Sequence, residues 1–333
     1  MRRILVKPVL IFMLAGSLAV MGQMGAGAAS TSRYTVAFIN GDNIDPFFLT
    51  IWRGAAAQAQ KYGMAFIEQA PSKYDYTQQV PLLNDMIARK VSAILLSADS
   101  DDALEPQLKT AFNAGIPVVL VNNVKVTKPR YVPFVLSFIG TDPELLGHTA
   151  GEALSKLIGG RGTVGVINSV PGLRGSMLRG NGAIDVLSKF PDVKVLPMQF
   201  SRNSPSKAYQ IATDLMQAHP DLAGLYATDA FTGQGMASAI KALHKQGKVK
   251  AVAIDAEPQE VEALKAGALQ TLIAQQPYKM GTLGIDYLYY ALTGHKDKIV
   301  ESVLVPPIPV TPQNVSTPEV QKSVVYSPKG PTP

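Results

Sequence analysis

Acidic, amide and aromatic side chains recur in this sequence just after short apolar runs. Such groups can hydrogen-bond or cover a small ligand, although aspartate, asparagine and threonine are equally favoured there as turn formers and helix caps. The two phenylalanines at positions 47 and 48 have neither of those local roles. The candidates of this kind are Asp45, Phe47, Phe48, Ser97, Asn122, Asn123, Phe200, Thr228, Asp229, Asp255 and Gln275.

Sequence motifs of common enzymes are absent or misplaced. Residues 160–165 fit G-x-G-x-x-G, but a phosphate loop follows a strand and opens a helix, whereas this stretch follows a predicted helix and enters a predicted strand. We interpret it as a helix cap and a tight turn. The sequence has no G-x-x-x-x-G-K-[ST], G-x-S-x-G or H-E-x-x-H and no cysteine, and its four histidines each stand alone. We therefore expect neither catalysis nor a metal site nor a cofactor.

Short β-branched runs alternate with helical segments along the chain. The runs "YTVAFI", "MAFIE", "SAILL", "IPVVLV" and "FVLSFIG" are typical of buried strands, and residues 47–61, 76–89 and 103–113 have helical periodicity. After Gly140 the alternation starts again with a helix capped by Thr141 or Asp142. Alternating strands and helices form parallel sheets covered on both faces, so the sequence predicts an α/β fold of two doubly wound parallel-sheet lobes.

The candidate residues share one place in this predicted fold. Each follows a predicted strand, and open parallel sheets bind ligands in the crevice beyond the carboxyl ends of their strands. We therefore expect the candidates to line a cleft between the two lobes.

The first 28 residues have the layout of a secretory signal peptide. Arg2, Arg3 and Lys7 precede an apolar stretch at residues 9–21 that is too short to span a membrane, and small residues follow at 26–28. Removal of this segment would lower the net charge from +6 to about +3, which is no indication of nucleic-acid binding. Without a cysteine for a lipid anchor, we expect a soluble monomer in the periplasm.

Six segments resemble, in order and spacing, the type I periplasmic binding proteins of ATP-driven importers, and in particular the ribose-binding branch. They are "NIDPFF", "AILLSADSDDAL", "AGIPVVLVNN", "LRGSMLRGNG", "AVAIDAEP" and "LIAQQPYKMG", within about residues 33–310. The resemblance implies a multi-strand hinge, closure of the lobes over a sugar, and delivery to a membrane permease and its ATPase subunit. It adds Arg179 to the candidates and implies sugar contacts for all of them except Asp229.

The chain departs from the ribose pattern at several of these positions. Asn122 and Asn123 stand where that branch has Asp-Arg, and Asp45 and Thr228 each replace an asparagine. Two neutral amides are less directional than a bidentate Asp-Arg clamp, so the identity of the ligand stays open. The retained Arg179, Asp255 and Gln275 favour a sugar or polyol, with the two phenylalanine rings as a wall of the cleft. The charges of Asp45, Asp255 and Arg179 predict a net charge near −1 there.

The resemblance also divides the chain. It implies a signal peptide at residues 1–28, a first lobe at 31–140 plus 276–308, a second lobe at 141–275 plus about 308–312, and a Pro-rich surface tail at 313–333. Two other functions suit this fold: an enzyme acting on a sugar or nucleoside in the same cleft, and a binding protein for a non-sugar signal or nucleoside. A lac-repressor-type regulator is disfavoured, because the signal peptide stands where a helix-turn-helix would begin.

Overall fold

The computed structural model describes residues 33–100, 102–122 and 132–326. The predicted signal peptide, Asn123 and residues 327–333 therefore lie outside the described residues. No helix in the described ranges combines the length and apolar character that a membrane crossing requires.

The first part of the described chain alternates strands with helices as the sequence predicts. Its elements are β1 Thr35–Ile39, α1 Pro46–Lys61, β2 Ala65–Gln69, α2 Tyr76–Ala88, β3 Ala93–Leu96, α3 Glu105–Asn113, β4 Val118–Val121 and β5 Ser137–Gly140. A short 3-10 helix at Val132–Phe134 precedes β5.

The alternation resumes after β5. The next elements are α4 Pro143–Ile158, β6 Arg161–Asn168, α5 Arg174–Leu187, β7 Asp192–Val195, β8 Gln199–Phe200, α6 Pro205–Ala218, β9 Leu222–Ala227, α7 Ala230–Ala242, β10 Lys250–Ile254, α8 Pro258–Lys265 and β11 Thr271–Ala274. The last are α9 Pro277–Leu292, a 3-10 helix at Lys296–Lys298, β12 Ser302–Leu304, β13 Ile308–Val310 and α10 Pro318–Ser323.

The described strands form two sheets. The first has the order β12-β5-β4-β3-β1-β2, and all of its pairs are parallel. The second has the order β13-β11-β10-β9-β6-β7, with β8 beside the end of β6, and its β11–β13 pair is antiparallel. Because β12 and β13 return to different sheets, the chain passes between the sheets after Gly140, after Ala274 and again after Leu304. The predicted fold class is confirmed.

Burial on both faces explains the apolar runs. Every residue of β3 and β4 is buried, as expected for central strands of a covered parallel sheet.

On one face of the first sheet, α1 and α9 pack closely through glycines. A Cβ on Gly54 would lie 2.1 Å from the carbonyl oxygen of Tyr278, and one on Gly281 would lie 2.2 Å from that of Ile51. Any larger residue would force these two helices apart.

Local capping follows the sequence at the start and end of α4. The Asp142 carboxylate accepts hydrogen bonds from the backbone nitrogens of Glu144 and Leu145, and α4 ends at Gly159, which has a left-handed φ of 66°. Gly160 is also left-handed, and the chain then enters β6 directly. Of residues 160–165, only Gly160 belongs to the turn after α4, and residues 161–165 already form β6, so the segment follows a helix and enters a strand, unlike a phosphate loop.

The C-terminal segment differs from the predicted surface tail. Val315, Val320, Val324 and Tyr326 are all buried, and Pro318 occupies the first turn of α10. The prolines predicted an exposed coil, but proline is well suited to the first turn of a helix and to an edge strand such as β13. The segment therefore packs onto the body of the protein up to Tyr326.

Candidate functional site

Most of the predicted site residues that the structure describes lie at the ends of strands from both sheets or in the helix start that follows. Asp45 caps α1, and Phe47 and Phe48 form its first turn. Ser97, Asn122, Thr228, Asp255 and Gln275 each follow a strand directly, Phe200 ends β8, and Arg179 lies within α5. Asn123 lies outside the described residues.

Asp255 is the centre of a hydrogen-bonded cluster in the second sheet. Its Oδ1 accepts hydrogen bonds from Nε2 of Gln275 at 3.0 Å and from the hydroxyl of Tyr326 at 2.9 Å. Its Oδ2 lies 4.0 Å from Nη1 of Arg179, which donates to the carbonyl oxygen of Thr228 at 3.1 Å. The structure thus brings together four of the predicted residues and one that was not predicted.

Asp255 also has an unusual backbone. Its φ of 86° lies in the left-handed region, which aspartate enters more readily than most residues but still at a cost of about 1–3 kcal/mol. Strain of this size persists where surrounding contacts hold it in place. Here the contacts are those from Gln275 and Tyr326.

Thr228 contributes to the cluster around Asp255 through its backbone carbonyl oxygen. Its hydroxyl is fully buried and donates to Oδ1 of Asn168 at 3.0 Å, while its carbonyl oxygen accepts from Arg179. Because the hydroxyl is engaged inside the lobe, this threonine positions the arginine.

The backbone of α5 around Arg179 is fixed by its neighbours. The carbonyl oxygen of Arg179 accepts a hydrogen bond from the hydroxyl of Tyr226 at 3.3 Å, and Gly147 of α4 approaches the same oxygen closely. The Nε of Arg179 is buried and has no hydrogen-bond partner among the described residues. A buried donor without a partner is costly, so this group is suited to an acceptor supplied by a ligand.

Phe47 and Phe48 are both buried, and their rings meet edge to face with centroids 5.3 Å apart. Phe48 stacks on Tyr74 at 5.9 Å, and its ring occupies the space where a Cβ on Gly41 would lie. Phe47 contacts the ring of Tyr326 edge-on at 5.3 Å. Because Tyr326 also bonds Asp255, Phe47 of the first lobe connects to the Asp255 cluster of the second.

Asp45 is a half-buried helix cap with a raised pKa. Its carboxylate accepts a hydrogen bond from the backbone nitrogen of Phe47 at 2.8 Å. Burial raises the pKa of Asp45 to about 7, helped by the negative charges of Asp42 and Asp255 and opposed by the bond from Phe47. Near neutral pH this carboxyl is therefore close to half protonated.

Three further acids surround Asp255, and the prediction of a cleft charge near −1 omitted them. Burial, with the charges of Asp45 and Asp255, raises the pKa of Glu257 to about 8. Burial likewise raises the pKa of Asp229, and raises that of Glu260 well above its usual value. Burial therefore opposes ionisation of these carboxyls, so a count of formal charges overstates the negative charge of this region.

Three other predicted residues are less connected. Ser97 is buried, and Asn122 and Phe200 are partly buried. Asn122 has a left-handed φ of 58°, as asparagine often does in a turn. Within the described residues, none of the three has a hydrogen bond or ring contact to the Asp255 cluster.

Tyr326 is the residue that the sequence prediction missed. The indication in the sequence that this segment packs onto the protein was the spacing of the apolar residues Val315, Val320 and Val324, which are buried. The prolines between them obscured that pattern.

Two α/β lobes with polar groups gathered at the carboxyl ends of their strands define a two-lobed binding protein. The chain belongs to the family described by the periplasmic binding protein domain, whose model matches residues 36–296. The resemblance noted in the sequence is therefore confirmed.

Relatives extend over most of the chain. The ribose import binding protein RbsB of Salmonella typhimurium is 28% identical over 273 residues, covering 81% of this chain and 88% of the relative. The D-allose-binding periplasmic protein of Escherichia coli is 25% identical and covers 86% and 94%. A solved ABC transporter solute-binding protein of Agrobacterium vitis, with bound alpha-D-tagatopyranose, is 31% identical with a TM-score of 0.78, covering 89% of this chain and all of that one.

Proposed function

We propose that this protein is the periplasmic solute-binding component of an ABC importer. It binds a neutral sugar or polyol between its two lobes, closes over it by a hinge movement, and delivers it to a membrane permease. The observation that carries the proposal is the cluster of Arg179, Asp255 and Gln275 at the carboxyl ends of the second sheet, linked through Tyr326 to Phe47 of the first lobe.

The chemistry of that cluster suits hydroxyl groups. Asp255 offers carboxylate acceptors, and the buried Nε of Arg179 offers a donor with no partner among the described residues. A sugar hydroxyl can donate to the first and accept from the second. The phenylalanine rings supply apolar surface for the C–H face of a sugar once the lobes separate enough to admit it. The relatives named for ribose and D-allose, and the solved relative with bound alpha-D-tagatopyranose, support the same ligand class.

The electrostatics disfavour an anionic ligand. Arg179 faces Asp255, with Asp229, Glu257 and Glu260 nearby and Asp45 across from them. A phosphate or carboxylate placed there would lose its hydration beside Arg179, whose charge Asp255 already offsets, and such poorly compensated burial of charge costs several kcal/mol. A neutral ligand avoids this cost, and its hydroxyls can hydrogen-bond both protonated and ionised carboxyls.

We propose binding rather than catalysis. Glycoside chemistry needs a general acid and a base or nucleophile on either side of a scissile bond. Asp45 already accepts from the Phe47 backbone and Asp255 from Gln275 and Tyr326, so both carboxylates hold structure together. Their contacts are those of groups that position rather than exchange protons.

The test is a thermal-shift panel of neutral pentoses, hexoses, polyols, nucleosides and sugar phosphates, followed by calorimetry with the best ligand. We expect a neutral sugar or polyol to raise the melting temperature most. Arg179→Ala should weaken its binding by tenfold to a hundredfold, because a charge-assisted hydrogen bond contributes about 1.5–3 kcal/mol. Arg174→Ala removes an exposed arginine at the start of the same helix and should leave the affinity unchanged.

Two results would contradict the proposal. A sugar phosphate or nucleoside as the tightest ligand would show that the ligand class is wrong. Equal affinity in the Arg179→Ala and Arg174→Ala variants would show that the site lies elsewhere.

A further inference from the structure

His148 of α4 does not stand alone, contrary to the prediction from the sequence. Glu144 lies one turn earlier on the same helix, and Asp185 approaches from α5. One ligand-type atom from each of the three side chains lies within 4.8 Å of the others. Glu144 and Asp185 are exposed and His148 is partly buried, so this group of side chains is accessible from solvent.

Close packing of α4 against α5 determines where the three side chains begin. A Cβ on Gly147 would lie 2.2 Å from the carbonyl oxygen of Arg179, and one on Gly182 would lie 2.7 Å from the carbonyl oxygen of Glu144. The two backbones therefore meet with no side chain between them. Since residues four apart share one face of a helix, Glu144 and His148 are held together beside Asp185.

The three side chains offer a mixed set of donors. One imidazole nitrogen with two carboxylate oxygens suits a borderline divalent cation such as Zn²⁺, whereas Mg²⁺ and Ca²⁺ prefer oxygen ligands alone. Tetrahedral Zn²⁺ with bonds of about 2.0–2.2 Å places its ligand atoms about 3.4 Å apart. The separations here are at most 4.8 Å, so a shift of about 1 Å suffices, which exposed side chains make by changing rotamer.

We propose that Glu144, His148 and Asp185 form a surface Zn²⁺ site that ties α4 to α5, with water completing the coordination. The bound ion would link α4, which follows the chain's first passage between the sheets, to α5, which carries Arg179. The site is distinct from the Asp255 cluster and does not depend on the proposed sugar ligand.

Calorimetric titration of tag-free, metal-stripped protein with ZnCl₂ tests the site, in the absence of sugar. We expect one Zn²⁺ per chain with a micromolar dissociation constant. His148→Ala and the isosteric Asp185→Asn should each weaken Zn²⁺ binding at least tenfold. His295→Ala, which removes an exposed histidine before the 3-10 helix at Lys296–Lys298, is the matched control and should bind like the wild type.

Circular dichroism and urea unfolding of the metal-free variants check that they fold. If His148→Ala does not fold, Asp185→Asn still tests the site, because asparagine keeps the shape of the aspartate side chain. Zn²⁺ should also raise the melting temperature of the wild type and of His295→Ala but not of the two site variants. Absence of Zn²⁺ binding to the wild type at about 100 µM would overturn the proposal. Wild-type affinity in both site variants would overturn it equally.

Discussion

Replacing Tyr326 with phenylalanine isolates the hydroxyl that connects the C-terminal segment to the candidate site. The hydroxyl donates to Asp255 at 2.9 Å and accepts from the backbone nitrogen of Gln275 at 3.2 Å. Phenylalanine keeps the ring and its edge-on contact with Phe47, so Tyr326→Phe removes two hydrogen bonds and little else.

The expected cost follows from the burial of those groups. Tyr326 is 1% exposed, so water cannot replace the lost partner. A hydrogen bond to a charged group contributes about 1.5–3 kcal/mol, and leaving the amide of Gln275 unpaired adds about 1 kcal/mol. Asp255 keeps its bond from Nε2 of Gln275, which limits the loss. We expect Tyr326→Phe to lower the free energy of unfolding by about 2–4 kcal/mol.

Urea unfolding, followed by circular dichroism, measures this difference. Tyr76→Phe removes the hydroxyl of an exposed tyrosine at the start of α2 and should change stability by less than about 0.5 kcal/mol. We also expect Tyr326→Phe to bind the ligand at least tenfold more weakly, because Asp255 loses a bond that fixes its orientation. Equal unfolding midpoints for the two variants would refute the assigned role of Tyr326.

Two further predictions concern the pKa of Asp45 and the close packing of a helix glycine. Burial raises the pKa of Asp45 from 3.8 to about 7, so the unfolded chain loses this proton first and stability falls as pH rises from about 4 to 7. Asp45→Asn keeps the helix cap and should make that fall shallower in urea unfolding between pH 4.5 and 7.5; an unchanged slope would contradict it. Gly281→Ala should destabilise by about 1–3 kcal/mol by forcing α9 from α1, whereas Gly175→Ala, with open space at its Cβ, should stabilise by about 0.5–1 kcal/mol. Equal melting temperatures of the Gly281→Ala and Gly175→Ala variants would count against the packing argument.

Local patterns in the sequence were sufficient for the architecture. Alternating apolar runs and helical periods predicted two parallel-sheet lobes, since each pattern reports which face of an element is buried. The start of α4 was recognisable at Thr141 or Asp142 because a cap depends on neighbouring backbone groups alone, and the structure selects Asp142. The prediction that the site lies at the strand ends rests on the parallel topology in the same way.

The sequence was less informative about what each site residue does. Thr228 was predicted as a ligand contact, yet its hydroxyl bonds Asn168 inside the lobe and its carbonyl holds Arg179. The predicted charge of the cleft left out Glu257 and Glu260, because the burial that raises their pKa values is not visible in the sequence. In both cases the reason is that a residue type does not specify which partner it meets or how deeply it is buried.

The sequence by itself determined the fold class, since this depends on apolar patterns that recur every few residues, and it indicated the family through six motifs that resemble it in order and spacing. Only the tertiary structure decided that Tyr326 reaches Asp255, 71 residues earlier, and that Asp185 lies beside His148. Such contacts join segments that are distant in sequence, and their geometry is fixed by helix and sheet packing. The physical reason is that hydrogen bonds between distant segments form only when the elements are assembled, so no local pattern contains them.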